Sequence, residues 1–334
     1  MTRKKLIIHI GTPKTASSAL QTSLSNNAKL LSDNDMCFLE YSYQRNAYLL
    51  REIDAGDTEK LERERIKLEE MIDSAQEKNV ILSCSEYIGD LDIAFADTRE
   101  MAVKLDAVTR KYPRKIIVYI RRQDIFIEST YAQYVKQGAS YSFAEFLQQF
   151  DVYRFDWFRL LGLYREYFGE QDFVIRPYEK GQLYKGDVVS DFYHTIGIES
   201  LDSLQKHNYS NRGYSPAGLE IARAYNRIYA RNPDKKIRMK NRLQNRMPKQ
   251  HYDDFYFFSY EERKKILAFY EESNRKLATE YLHKDNGLLF EDGLEEYAST
   301  PIRKNGLTLA DIWEWSVAFF IRPLKAKFHR ILSG

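Results

Sequence analysis

Cysteine is nearly absent from this chain: Cys37 and Cys84 are the two in 334 residues. Their separation fits neither a metal-ligand pair nor a redox pair, so no disulfide framework is indicated, and two thiols suit a reducing compartment. Long apolar runs are missing too. No uninterrupted stretch reaches the roughly 18 residues of a membrane span. The run Leu6–Ile10 behind a basic N-terminus is too short for the apolar core of a signal peptide and reads as a buried strand. The cytoplasm is the expected location. Charge of one sign is also lacking in excess, with a formal net charge of +3, which by itself gives no reason to bind nucleic acid or membrane. Histidine is scarce, and no His, Cys or carboxylate cluster has metal-ligand spacing, so no metal is expected. Aromatic residues are plentiful, with 25 Tyr, as expected of a folded chain.

The first half alternates short β-branched runs with helical periodicity, the signature of a parallel sheet flanked by helices. Strands are expected at Lys5–Ile10, Met36–Leu39, Val80–Cys84, Lys115–Ile120 and Phe173–Pro177. Helices are expected at Ser17–Leu31, Thr58–Lys78, Thr98–Lys111 and Ile125–Gln137, and the part after Phe146 is mostly helical. The fold class is therefore α/β: an open, P-loop-like parallel sheet with a mostly helical C-terminal part. Linker-like composition around Gly213 and Pro301 divides the chain into a catalytic domain, residues 1–297, and a tail, residues 298–334.

The stretch HIGTPKTASSALQ, His9–Gln21, places a loop between a strand and a helix. Backbone N–H groups at a helix N-terminus lack intrahelical partners, and the helix dipole favours an anion there. Lys14 adds a full charge. The nucleotide-triphosphatase pattern G-x-x-x-x-G-K-[ST] is not met, because Lys14 follows Gly11 by three and Pro13, not a glycine, stands directly before it. The shorter loop suits one phosphate-sized anion.

A second anion site is expected in IIVYIRRQDIFIESTYAQYVKQG, Ile116–Gly138. Arg121 and Arg122 stand at the carboxyl end of a strand, where open α/β sheets bind ligands. Asp124 is a candidate N-cap, Ser129 lies in the first turns of the helix, and an arginine fork matches phosphate oxygens. Two anion sites at strand ends suit a nucleotide with phosphates at both ends.

Together these residues resemble the sulfotransferases that use 3′-phosphoadenosine 5′-phosphosulfate (PAPS). TPKTASSALQ looks like their 5′-phosphosulfate loop and RRQDIFIES like their 3′-phosphate motif. The segments FVIRPYEKGQL and FFSYEERKKILAFYEESNRKLATEYL resemble the bacterial carbohydrate sulfotransferase branch, so the likeness extends over residues 5 to 292. It implies that Lys14 contacts the bridging oxygen of PAPS, with Thr15, Ala16, Ser17 and Ser18 donating hydrogen bonds. It implies that Arg121 and Ser129 hold the 3′-phosphate, with a weaker match at Arg212. Ala16 replaces the glycine of many relatives, which leaves open whether that position needs a positive φ. The implied reaction is metal-free, in-line transfer of a sulfuryl group from PAPS to a hydroxyl of a carbohydrate or glycolipid, leaving 3′,5′-adenosine bisphosphate (PAP).

Such relatives take the acceptor proton with His or Glu after an early or middle strand. None of the six histidines lies there, but Glu86 and Glu40 do. Glu86 is preferred, since it follows the strand before the 3′-phosphate strand. Between Arg223 and His251 stand ten Lys/Arg and one acid, Asp234. That run is either a solvated face or a seat for an acidic acceptor, with nucleic acid the weakest option. The tail sets Trp313, Trp315, Phe319 and Phe320 ahead of basic residues. It suits either an interfacial helix, with peripheral membrane contact through residues 311–330, or docking on the core. Two rivals stay open, a P-loop kinase and a non-catalytic glycan-binding protein on the same fold.

Overall fold

The computed structural model describes residues 4–40, 50–54, 56–170, 172–205, 213–246, 257–299 and 308–317. Five strands, β1 Lys5–His9, β2 Met36–Phe38, β3 Asn79–Ser83, β4 Arg114–Ile120 and β5 Phe173–Pro177, form one sheet in the order β2-β3-β1-β4-β5. Every pairing is parallel. The helices among the described residues are α1 Ser17–Asn26, α2 Ala28–Asp33, α3 Thr58–Ser74, α4 Thr98–Thr109, α5 Gln123–Gln137, α6 Phe143–Gln149 and α7 Trp157–Phe168. They continue with α8 Val188–Thr195, α9 Pro216–Ile228, α10 Pro233–Arg246, α11 Tyr260–Lys276, α12 Glu295–Ser299 and α13 Leu309–Ser316. The expected α/β architecture is the observed one.

Parallel strands are buried on both faces, which is why β1, β3 and β4 read as continuous apolar runs. Alternate residues still divide between faces. Ile7, Ile81, Ile117 and Tyr119 join a core with Leu20 and Leu24 of α1 and Phe192 of α8. On the other face α7 lies against β4, and α4 packs between α7 and α3. Because β1 is central, with β3 and β4 on its two sides, the loop after it lies at the middle of the sheet's carboxyl edge.

Contacts group the chain into two compact units. One comprises Met1–Gln123, Tyr153–Tyr209 and Leu267–Asp292 and contains the sheet; the other comprises Asp124–Val152, Ser210–Ile266 and Gly293–Gly334. The second is helical. Its centre is Arg263, fully buried, whose Nη1 donates to Asp124 and whose Nη2 meets the Glu128 oxygens at 2.9 and 3.0 Å. Glu128 also accepts from the Phe257 and Phe258 N–H groups at 2.8 and 2.9 Å. Asp124 was expected to cap α5. It instead lies inside the helix's first turn and answers Arg263, because a fully buried guanidinium needs an anionic partner.

His9 closes β1 with no solvent exposure, its Nδ1 2.8 Å from Ser83 Oγ and its ring edge-on to Tyr119 and Phe192. Burial pushes its pKa down to about 3. The folded ring is therefore neutral where the unfolded ring, at about 6.5, takes up a proton. The contribution is complete above about 6.5 and is lost as pH falls toward 3, at up to about 1.4 kcal/mol per pH unit. We expect denaturant midpoints of the wild type to fall across that window and those of His9→Gln to fall less steeply; parallel profiles would contradict this.

Candidate functional site

The loop after β1 is fastened to the neighbouring strand before it turns. The N–H and hydroxyl of Thr12 both donate to the Tyr119 carbonyl, at 2.9 and 3.0 Å, and the Tyr119 N–H donates to the Gly11 carbonyl at 2.9 Å. Tyr119 is held in turn by its hydroxyl, which donates to Asp191 at 2.8 Å. Asp191 is fully buried, pairs with Arg176 and accepts the Tyr184 N–H at 2.7 Å. Gly11 has φ +104°, and a Cβ there would lie 2.7 Å from the Ser85 carbonyl oxygen. This glycine lets the loop pass against the turn that carries Glu86.

Beyond Thr12 the backbone alternates in hand. Lys14 and Ala16 have φ +67° and +63°, whereas Thr15 between them does not. Alternation of this kind turns successive N–H groups into one anion-binding concavity. Position 16 is thus left-handed although it holds alanine, and Ala16 bears a Cβ cost of roughly 1–2 kcal/mol. The hydroxyls of Thr15 and Ser17 both bond the Thr12 carbonyl, at 2.6 and 3.3 Å, and close the loop on itself. Ala16 supplies no side-chain cap to α1. Among the described residues, the N–H groups of Thr15, Ala16, Ser17 and Ser18 meet no acceptor of the protein. Several unsatisfied donors beside a lysine, at the start of a helix, are what an anion would satisfy.

Arg121 follows β4 and reaches this loop: its Nη1 donates to the Lys14 carbonyl at 3.3 Å. Its guanidinium lies 5.5 Å from the Tyr178 ring centroid, and its own carbonyl accepts the Trp157 Nε1–H at 2.8 Å. The adjacent Arg122 is buried and donates to the Asp292 carbonyl at 2.7 Å, a structural contact. Ser129 lies on α5 in the helical unit; its hydroxyl is buried with no hydrogen-bond partner among the described residues. Arg212 falls outside the described residues.

The two candidate bases are placed differently. Glu86 lies in the turn after β3, the strand paired with β1, and that turn is bonded to β1 through Cys84 N–H to the His9 carbonyl and Ile88 N–H to the Ile10 carbonyl. Glu40 is exposed at the end of β2, the edge strand, one strand farther out. The Glu86 carboxylate takes Arg51 Nη2 at 2.9 Å through Oε2, and Asp90 takes Arg51 Nη1 at 3.1 Å. Its Oε1 accepts no donor among the described residues. Arg51 was not singled out in the sequence. It lies in no motif, and only the fold shows that it orients Glu86. Among the described residues no three His, Cys, Asp or Glu side chains are gathered as metal ligands.

No family model matches the sequence. Among curated proteins, an uncharacterised protein of Archaeoglobus fulgidus is 29% identical over 184 residues, 55% of this chain and 50% of that one. The chain thus spans about half the length of the curated relative it matches. Among solved structures, the crystal structure of a sulfotransferase from Alicyclobacillus acidocaldarius is similar at a TM-score of 0.43 and 17% identity, covering 68% of this chain and 93% of that one. A likeness of that degree leaves the activity to be argued from the site itself.

Proposed function

We propose that this chain transfers a sulfuryl group from PAPS to a hydroxyl of a carbohydrate or glycolipid, releasing PAP. One observation carries the reading: a short loop at the centre of the sheet's carboxyl edge gathers the unsatisfied N–H groups of Thr15 to Ser18 beside Lys14, and the Glu86 carboxylate lies in the turn against it. The loop has the donors for one phosphate-sized group, and the carboxylate has a free oxygen to take a proton. Thr15, Ala16, Ser17 and Ser18 would bind the 5′-phosphosulfate. Lys14 would neutralise charge that builds on the bridging oxygen, and Glu86, steadied by Arg51, would deprotonate the acceptor hydroxyl. The motif likeness assigns the 3′-phosphate to Arg121 and Ser129. A kinase reading requires a magnesium-bound triphosphate, for which this loop is short.

Replacing Arg121 tests the donor. A charge-assisted hydrogen bond contributes about 1.5–3 kcal/mol, so Arg121→Ala is expected to weaken PAPS binding ~10–100-fold. The variant should scarcely distinguish PAPS from adenosine 5′-phosphosulfate, which lacks the 3′-phosphate. Calorimetric titration of both nucleotides decides the matter, since undiminished discrimination would remove Arg121 from the nucleotide site.

A further inference from the structure

Most cations of α3 are answered by acids. On α3, Arg63 pairs with Glu59 and Arg65 with Glu62 and Glu69, and Lys111 takes Glu69 and Asp73. The segment that leads from α9 into α10 departs from this. Arg231, Lys235, Arg238, Lys240 and Arg242 are exposed, and among the described residues none of them pairs with a carboxylate. Asp234 is the one acid among them. Lys236 turns inward, its Nζ donating to the Gly138 carbonyl at 3.3 Å, and Met239 and Leu243 bury the inner face of the helix. Lys235 lies 4.3 Å over the Tyr229 ring, which itself contacts Tyr225. Like charges held together without counter-charges repel one another, so the array opposes folding unless an anionic partner offsets it.

Large apolar side chains stand among these charges. Ile228 at the end of α9 is 73% exposed and Ile237 of α10 is 56% exposed. The short helix α13 lies against α9 and also exposes Leu309, Ile312 and Trp313, the last at 65%. A polyanion such as an acidic glycan would answer the cations and leave these isoleucines and the tryptophan in water. An anionic bilayer answers both, with phosphates for the cations and an acyl boundary for the apolar side chains. We propose that α10 and α13 dock on the surface of an anionic lipid bilayer, the cations at the headgroups and Ile228, Ile237 and Trp313 at the acyl boundary. The basic run is then a membrane contact and not a seat for the acceptor. No helix among the described residues is long and apolar enough to cross a membrane, so the contact is peripheral.

Flotation of the full chain with phosphatidylcholine vesicles, with and without phosphatidylglycerol, tests this. Binding is expected only with phosphatidylglycerol and should weaken as salt rises. At about a fivefold change per charge, the double charge reversal Arg238→Glu, Lys240→Glu, a change of four charges, should weaken binding by ~600-fold. Ile237→Ser should weaken it several-fold, and a blue shift of tryptophan emission on binding should be lost in Trp313→Ser. All these residues are exposed, so no variant should melt lower than the wild type, and the charge reversal, which relieves repulsion within the array, should melt slightly higher. Failure to float with anionic vesicles would overturn the proposal, as would retention on dextran sulfate without vesicle binding. Nucleotide binding is read separately and does not depend on either outcome.

Discussion

Glu86→Gln is expected to lose turnover by about 10²–10⁴-fold, the range for a positioned general base, while binding PAP as the wild type does. Glutamine keeps the shape of the side chain and can still accept from Arg51, but it cannot take a proton from the acceptor. The Arg51 contact at 2.9 Å fixes one oxygen of Glu86 and leaves Oε1 for the acceptor. Loss of turnover in Arg51→Ala with little change in PAP affinity would support the same arrangement, since a base that swings freely misses its hydroxyl. Glu40→Gln should be mild, because Glu40 lies on the edge strand away from the loop. Sulfate transfer at saturating PAPS measures all three. Wild-type turnover in Glu86→Gln with loss in Glu40→Gln would reassign the base. Wild-type activity in both would exclude either carboxylate, and a protein that binds PAP yet transfers nothing would favour the glycan-binding reading.

Lys14→Ala carries the other large effect. Removing one donor from the place where charge develops costs about 10²–10³-fold in kcat, and loss of a charge-assisted contact should also weaken the nucleotide. Position 14 is left-handed, φ +67°, and alanine adopts that region no less easily than lysine, so stability should change little. Lys14→Arg should restore binding better than turnover, because a planar fork does not place its charge where the ammonium does. A Lys14→Ala enzyme with undiminished kcat would move the charge-neutralising role to Arg121, whose guanidinium bonds the Lys14 carbonyl.

The strands were legible because parallel strands buried on both faces are unbroken apolar runs, and each observed strand starts within a residue of the expected one. Interruptions set by distant residues were not legible. The helix expected over Ser17–Leu31 breaks at Asn27, whose Oδ1 accepts the Gln205 N–H at 2.8 Å. Asp124 looks like a cap until Arg263, 139 residues later, is buried beside it. The placing of the loop between a strand and a helix, with Lys14 in it, was legible in the sequence. Its left-handed Ala16 was not, since alanine gives no sign of positive φ. Arg51 was invisible for the opposite reason: nothing in its neighbourhood marks it, and only β3 and its following turn bring Glu86 and Asp90 to it.

The central claim is that the loop after β1 holds one end of a nucleotide with a second phosphate at the 3′ position. Thermal denaturation in the presence of EDTA, with PAP, 5′-AMP or no nucleotide, and in magnesium with ATP, tests it most directly. A ligand at one hundred times its Kd adds about 2.7 kcal/mol, which is several degrees for a chain of this size. The account predicts a rise in melting temperature with PAP in EDTA, little with 5′-AMP, and little with ATP and magnesium. Stabilisation by ATP that requires magnesium, with none by PAP, would contradict it and favour a kinase.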